Sequence, residues 1–492
     1  MTTNTTVTKP NIVYTAEQQA AIDTLVRFVK GGKDTPQEIV FDAPGGCGKT
    51  TCLKEVINQV EGEYPITIIT PTHRSKTICQ QAINADVDKN DLFANYYVPK
   101  TLASALNKVP TVKVENGRKL FVQTGKKVET IEGVLIIDEA SMVDSGDLER
   151  LRAIYDKSAK VIYTMDHKQL PPINNKGILP PVYEEGLQIV SLTTPMRFLL
   201  NSPIYAVTNQ IRKKDAELSN FNYSGLATYC KDKPSINIYS DEDKFLEDAL
   251  TVYEDKGWVN NPLACRIISY TNKNVDKYNK FIKQFYFDNE TSNYVPTEIL
   301  ISRAPLVRSD PECLPSDIFN ASSKNLVHLV SNGEEFKLLE LESTDTFAHP
   351  KYSDKPIEYQ IWSASREDEE DFKAILVSAK GKRNYKYVQS QLRKLAVETP
   401  DSKKKAKKKA WANLYKFTEC FDNCRRASAI TIHASQGSTF ENVFVDLSLL
   451  DIDLSRRIRR ALIYTAFTRP TTSLNIYIPP HYVSRALVDT IR

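Results

Sequence analysis

The sequence predicts an α/β protein built on two tandem parallel sheets, with a small and a large insertion. Three observations lead there. Short β-branched runs recur, each followed by turn residues and then by helical periodicity: EIVFD (38–42), TIIT (67–70), VLIID (134–138) and VIYTMD (161–166). These runs are continuously apolar rather than alternating, which suits strands buried on both faces of a parallel sheet. A second set repeats the signal later, in CRIISYT (265–271), AITI (429–432), NVFVDLS (442–448) and LNIYI (474–478). Between about 290 and 425 the chain turns polar and charged, and the strand–helix rhythm stops, as expected for an insertion into the second sheet domain.

The whole chain fits this division. Its 492 residues suggest roughly three domains. A hydrophobic fraction of 41% and a charged fraction of 26% are ordinary for a globular protein with real cores. The formal net charge of +4 is too small to establish a nucleic-acid partner, so any basic surface has to be argued locally. No apolar run of about 18 residues is present, so no membrane span is expected. The start, MTTNTTVTKPN, has no charged segment leading into an apolar one and reads as a polar tail rather than a secretory signal. Eight scattered cysteines form no CxxC pair, and Cys420 and Cys424 lack a second ligand pair, so zinc is not expected and reduced thiols of a cytosolic protein are.

The first strand runs into FDAPGGCGKTT (41–51), with a helix expected directly after it. Gly45, Gly46, Cys47 and Gly48 supply a turn whose backbone N–H groups can wrap phosphates. Lys49 adds a positive charge, and Thr50 and Thr51 open the helix N-terminus. Ala43 stands where the usual pattern has glycine, with Pro44 fixing the turn. The strand VLIID then ends in Asp138-Glu139. Adjacent acids at one sheet edge can divide labour, Asp138 toward Mg²⁺ beside the Thr50 hydroxyl and Glu139 toward the attacking water. Gln169, in MDHKQLPP, is a neutral donor and acceptor able to report on a terminal phosphate. Taken alone, it would more often be a polar loop residue.

In order along the chain, TAEQQAAI (15–22), APGGCGKTT (43–51), TPTHRSK (70–76), IIDEASM (136–142), DHKQLPP (166–172), LTTPMR (192–197), YTNKNVDKYN (270–279), TIHASQG (431–437) and YTAFTR (464–469) resemble the superfamily 1 helicases of the 5′-to-3′, RecD-like branch, and most of all its phage Dda-type members. The resemblance covers nearly the whole chain. It implies two RecA-like P-loop domains, ATP and Mg²⁺ as cofactors, and an ATP hydrolase coupled to DNA unwinding. Carried over position by position, it implies that Gln18 reads the adenine and that Arg197 and Arg469 face the γ-phosphate from across the cleft. It also implies that Pro71, Thr72, His73 and Lys76 on the first domain, and Thr431, His433, Ser435 and Gln436 on the second, contact a nucleic-acid strand. Ala43, Met165, Ala466 and Pro470 depart from the family pattern, which puts local loop shape in doubt rather than the chemistry. Ala103 stands where the family often has a third histidine.

The resemblance also implies a domain layout. Residues 1–11 form a tail and 12–195 the first RecA-like domain, interrupted at 107–132 by a hairpin. Residues 196–290 and 425–492 form the second RecA-like domain, and 291–424 an SH3-like accessory domain with a helical extension. The hairpin is also legible without the family, because VKVENGRKLFVQ alternates around Asn116-Gly117. Phe121 falls where the family places a stacking aromatic on a strand-splitting pin. Single-stranded and forked duplex DNA are the implied partners, with replication or recombination proteins as candidates and a monomer as the expected state. The implied location is the cytoplasm, that of the host if the protein is phage-encoded. The six lysines of DSKKKAKKKAW (401–411) read either as a solvated face or as a phosphate-tracking patch. Two rival readings stay open: a DNA-stimulated loader or remodelling switch that does not unwind, and a plain P-loop kinase. The second leaves TIHASQG and Arg469 without a use.

Overall fold

In a computed structural model of the protein, described for residues 13–32, 35–85, 87, 96–115, 118–123, 129–172, 179–194, 196, 202–213, 235–287, 293–320, 327–366 and 370–482, the first sheet has six parallel strands. Their order is Lys100–Thr101, Ile66–Thr70, Val134–Ile137, Lys160–Met165, Glu38–Asp42 and Ile189–Ser191. The four longer runs expected from the sequence are all strands. The two-residue strand and Ile189–Ser191, too short or too exposed to show an apolar run, are additions. Val134–Ile137 and Lys160–Met165 are buried along their entire length, as strands covered by helices on both faces must be. Two apolar clusters flank this sheet, one under the helices Ala16–Lys30 and Lys49–Val60 and one under Ser145–Arg152.

The second sheet has five parallel strands in the order Ala429–Thr431, Cys265–Ser269, Phe440–Asp446, Pro470–Tyr477 and Ile236–Tyr239. On one face it packs the helices Pro203–Lys213 and Arg456–Phe467 through Ile204, Val207, Ile211, Leu462 and Ile463. Leu170, from the first domain, is buried in that same cluster. Burying a leucine fully is worth about 1.5–3 kcal/mol, so this side chain fastens one domain to the other.

The small insertion is a two-stranded antiparallel hairpin, Lys108–Glu115 with Arg118–Gln123. Asn116 and Gly117 lie outside the described residues, as does the side chain of Phe121. The large insertion is a five-stranded antiparallel sheet carrying two helices, Lys382–Glu398 and Lys404–Glu419. Val388, Leu392, Leu414 and Phe417 on the helices pack against Ile357, Tyr359, Ile361 and Ile375 on the sheet. The described cysteines are free thiols, and no described helix is long and apolar enough to cross a membrane. The fold is therefore two RecA-like P-loop-type α/β domains with inserted hairpin and helical elements.

Candidate functional site: a split phosphate site and a strand-side seam

Strand Glu38–Asp42 delivers the loop 43–48 to the N-terminus of helix Lys49–Val60. The helix is fixed by Cys52, Leu53, Val56, Ile57 and Val60, which bury one of its faces. Gly46 and Gly48 have φ of 86° and 84°, where a side chain is strained, and a Cβ on Gly48 would stand 2.4 Å from the Gln18 amide nitrogen. The glycines are thus required by the turn. Ala43 is not: it is fully buried with ordinary φ, and its N–H donates to the Met165 carbonyl at 2.9 Å. Gln18 closes a capping box with Thr15 and donates to the Cys47 carbonyl at 3.1 Å, which places it directly against the loop.

Four carboxylates face Lys49. Burial pulls its ammonium pKa down, but Glu139, Asp138, Asp166 and Asp42 together raise it, so it stays charged. Asp138 is held by the Thr164 hydroxyl at 2.5 Å. Glu139 takes a left-handed conformation, φ 51°, rare for a residue with a side chain. Burial raises its carboxyl pKa, opposed by Lys49 and reinforced by Asp138, with Arg469 also pulling it down. The Glu139 Oε2 and Gln169 Oε1 atoms are buried without a hydrogen-bond partner among the described residues. A buried polar atom left unpaired costs about 1–3 kcal/mol, so these two oxygens mark where a ligand or water belongs.

Arg469 reaches this cluster from the second sheet. Its guanidinium is held by the carbonyls of Thr465 (2.8 Å) and Ser438 (3.0 Å) and by the Thr468 hydroxyl (2.8 Å), so its position is fixed before any phosphate arrives. Thr468 stands close enough to the loop that a Cβ on Gly45 would lie 3.7 Å from it. Arg197 lies outside the described residues.

Sequence reading missed Arg212, on helix Pro203–Lys213. It forms ion pairs with the fully buried Asp166 and, at 3.7 Å, with Asp42. Tyr464 adds a hydrogen bond to Asp166 at 2.8 Å, and His167 one to Asp42 at 2.7 Å. Asp42, Asp166 and His167 lie close enough together to suggest a metal site, but the guanidinium already supplies the positive charge there. Beside this cluster, Leu170 receives the Gln436 amide on its carbonyl at 3.1 Å, and its N–H donates to the Thr465 hydroxyl at 3.3 Å. Gln169, one residue before Leu170, is therefore tied to the second domain by its neighbour.

The other contact block opens helix His73–Ile83. Thr72 caps it in a reciprocal pair with Ser75, and Pro71, His73 and Lys76 remain half-buried around the helix start. His73 stacks on His328 of the accessory domain, ring centroids 5.8 Å apart. Burial, then His328, Lys76 and Arg366, push its pKa down to about 4. Thr431 accepts from Ala434 N–H at 3.2 Å, and His433 tilts against Tyr270. Ser435 and Gln436 are turned inward: Ser435 is fully buried and donates to Ile432, while Gln436 is spent on Leu170. Of that block, only Thr431 and His433 remain partly open.

One further node joins all three domains. Glu335 of the accessory sheet pairs with Arg74 at 2.8 Å and with the fully buried Arg266 at 3.1 Å, and both guanidiniums cover the Phe440 ring, at 5.0 and 4.8 Å. Burial pushes the Glu335 carboxyl up, but Arg266 and Arg74 outweigh it and hold it below the usual range.

Comparison with known proteins agrees with this architecture. Residues 13–229 match the AAA domain family, and residues 426–477 match the UvrD-like helicase C-terminal domain family. ATP-dependent DNA helicase dda of Enterobacteria phage T4 is 25% identical over 475 residues, covering 92% of this chain and 97% of the relative. RecBCD enzyme subunit RecD of Buchnera aphidicola subsp. Acyrthosiphon pisum is 24% identical over 260 residues, 51% of this chain and 41% of that one. Among solved structures, Bacteroides Pif1 bound to ssDNA aligns over 98% of this chain and 96% of its own, with a TM-score of 0.44 and 17% identity. The AAA match and the similarity to dda and RecD imply an ATP-binding, P-loop-like domain in an ATP-hydrolysing, helicase-like enzyme. The chain has a superfamily-1-like, RecA-like DNA helicase fold, related at low-to-moderate identity to the dda and RecD proteins.

Proposed function

We propose that this protein is an ATP-dependent DNA helicase that moves 5′-to-3′ along single-stranded DNA and parts the duplex ahead of it. The observation that carries this reading is the split phosphate site, in which Thr468 of the second domain stands against Gly45 of the phosphate loop and Arg469 beside it is held in place by Thr465, Ser438 and Thr468. A nucleotide seated there touches both domains, so its hydrolysis changes how they are held together.

In this reading the loop 45–48 and Lys49 cradle the phosphates, Thr51 lies in the helix turn behind them, and Gln18 meets the base. Mg²⁺ fits the Thr50 hydroxyl and the Asp138 carboxylate, and when bound it would neutralise charge on the phosphate oxygens. Glu139 takes the proton from a water that attacks the terminal phosphorus as the bridging P–O bond breaks. Its unpaired Oε2 and raised pKa suit that role. Gln169 senses the terminal phosphate, and Leu170 passes its position to the second domain. Arg469, and Arg197 with it, stabilise the charge that builds in the transition state. Pro71, Thr72, His73 and Lys76, with Thr431 and His433, line the strand path. The 5′-to-3′ direction, the pin role of the 107–132 hairpin and the stacking role of Phe121 rest on the family resemblance alone.

A forked duplex with a 5′ single-stranded tail tests the reading. ATP-dependent strand separation on the 5′-tailed fork, absent on a 3′-tailed one, is the expected result. DNA-stimulated hydrolysis with no separation on either fork would favour the loader or switch instead.

A further inference from the structure

The lysine run that the sequence left open lies on one solvent-facing side of a structured helix. Lys404, Lys405, Lys408 and Lys409 are exposed on helix Lys404–Glu419, whose opposite face buries Ala410, Leu414 and Phe417. A rise of about 1.5 Å per residue sets Lys404 and Lys408, and likewise Lys405 and Lys409, about 6 Å apart along the axis. None of the four has an ion-pair partner among the described residues. Lys407, on the flank, is the member of the run that does, with Asp401 at 2.7 Å.

This arrangement works against the helix that carries it. The first turn holds no acid, and Lys404 and Lys405 stand there at the positive end of the helix dipole, which disfavours them. The like-charge pairs four apart, Lys404 with Lys408 and Lys405 with Lys409, repel one another as well. Asp401, just before the helix, is engaged by Lys407, and none of the four lysines has an acidic partner among the described residues, so an anion would relieve this repulsion. The same helix lies against strand Lys108–Glu115 of the inserted hairpin. The charged face is thus carried by an element that is itself anchored to the hairpin.

We propose that Lys404, Lys405, Lys408 and Lys409 form a binding surface for the phosphate backbone of duplex DNA held ahead of the hairpin. The hairpin's place at the fork rests on the proposed helicase function. The phosphate chemistry of the lysine face does not. Such a surface keeps the duplex against the hairpin while the strand is drawn past it, and it reads no sequence, since lysines on phosphates position without specifying.

The test replaces all four lysines with glutamine, which keeps helix propensity and removes the charge. Equilibrium binding of the full-length protein to a blunt duplex, a 5′-tailed fork and a single-stranded oligonucleotide is then measured from about 50 to 200 mM salt. Each lost phosphate contact lowers the slope of log K against log salt by about 0.9, so the duplex and fork slopes should fall by about 2–4. Single-strand affinity and single-strand-stimulated ATP hydrolysis should stay within about twofold, and a four-arginine variant should restore the slope. Unchanged duplex slopes overturn the proposal and leave an acidic protein partner as the better occupant. An equal loss on single strands overturns it as well, placing the lysines on the tracked strand. If the wild-type protein separates no fork yet its duplex slope still depends on these lysines, the helicase reading fails while the binding surface stands.

Discussion

The seam between the two sheet domains is built differently at its two edges. At the phosphate edge, Lys49 faces four carboxylates, of which Asp166, Asp42 and Asp138 are held by Arg212, His167 and Thr164, while Glu139 and Gln169 each keep a buried oxygen without a partner among the described residues. At the strand edge, one carboxylate is shared between two guanidiniums, Glu335 with Arg74 and Arg266 over Phe440, although the Arg266 Nε has no hydrogen-bond partner among the described residues. An unsatisfied buried group is a cost that a ligand can relieve, while a satisfied one is a cost that appears only on opening. The phosphate edge is therefore prepared to bind. The strand edge is prepared to resist parting, and Ser435 and Gln436 of its contact block are turned inward.

This contrast can be broken at either edge. The largest effect is expected from Lys49→Ala, which should lower ATP turnover by at least about 10³-fold while leaving single-strand binding within a few-fold. Turnover near normal would remove the phosphate site. Next comes Arg212→Met, which strands the fully buried Asp166 and should cost about 3 kcal/mol by urea denaturation. Combining it with Asp166→Asn should recover a good part of that loss, and strictly additive losses would contradict the coupling.

At the strand edge, Glu335→Gln leaves the buried Arg266 without its carboxylate and should cost about 2 kcal/mol, with more ATP spent per base pair opened. Unaltered stability and unaltered coupling together would show the node to be incidental. The smallest effect is in pH dependence. His73, with its folded pKa pushed down to about 4, is neutral in the fold but protonates in the unfolded chain as pH falls below about 6.5. Stability should thus drop between those values, by about 1 kcal/mol once partial solvent exposure is allowed for, and His73→Gln should flatten that part of the profile. Glu335 also loses its contribution in acid, because its carboxyl is held low in the fold, but below the ordinary carboxylate range. A profile unchanged by His73→Gln would remove the histidine stack from the account.

What the sequence made legible was local. A strand, a glycine turn and a helix follow one another in FDAPGGCGKTT, and the apolar runs become strands within a residue or two of where periodicity places them, except that LNIYI ends a strand that begins four residues earlier, at Pro470. The fold class and the phosphate loop follow from that. The residues that join the domains were not legible, because their partners are far apart along the chain. Arg212 meets Asp166 and Tyr464, and Arg74 meets Glu335. Leu170, beside Gln169 in MDHKQLPP, is a core residue of the other domain. One signal was present and unused: Arg266 sits inside the apolar strand CRIIS, and a charge in a fully buried strand requires a partner.

In the proposed function, a single ATP site is completed from both domains. Arg469→Ala tests it most directly, with turnover and nucleotide affinity measured on the same protein in the presence of single-stranded DNA. A turnover loss of about 10²–10³-fold, with nucleotide affinity within a few-fold of the original, is the predicted result. An equal loss of affinity, or turnover left intact, would contradict it.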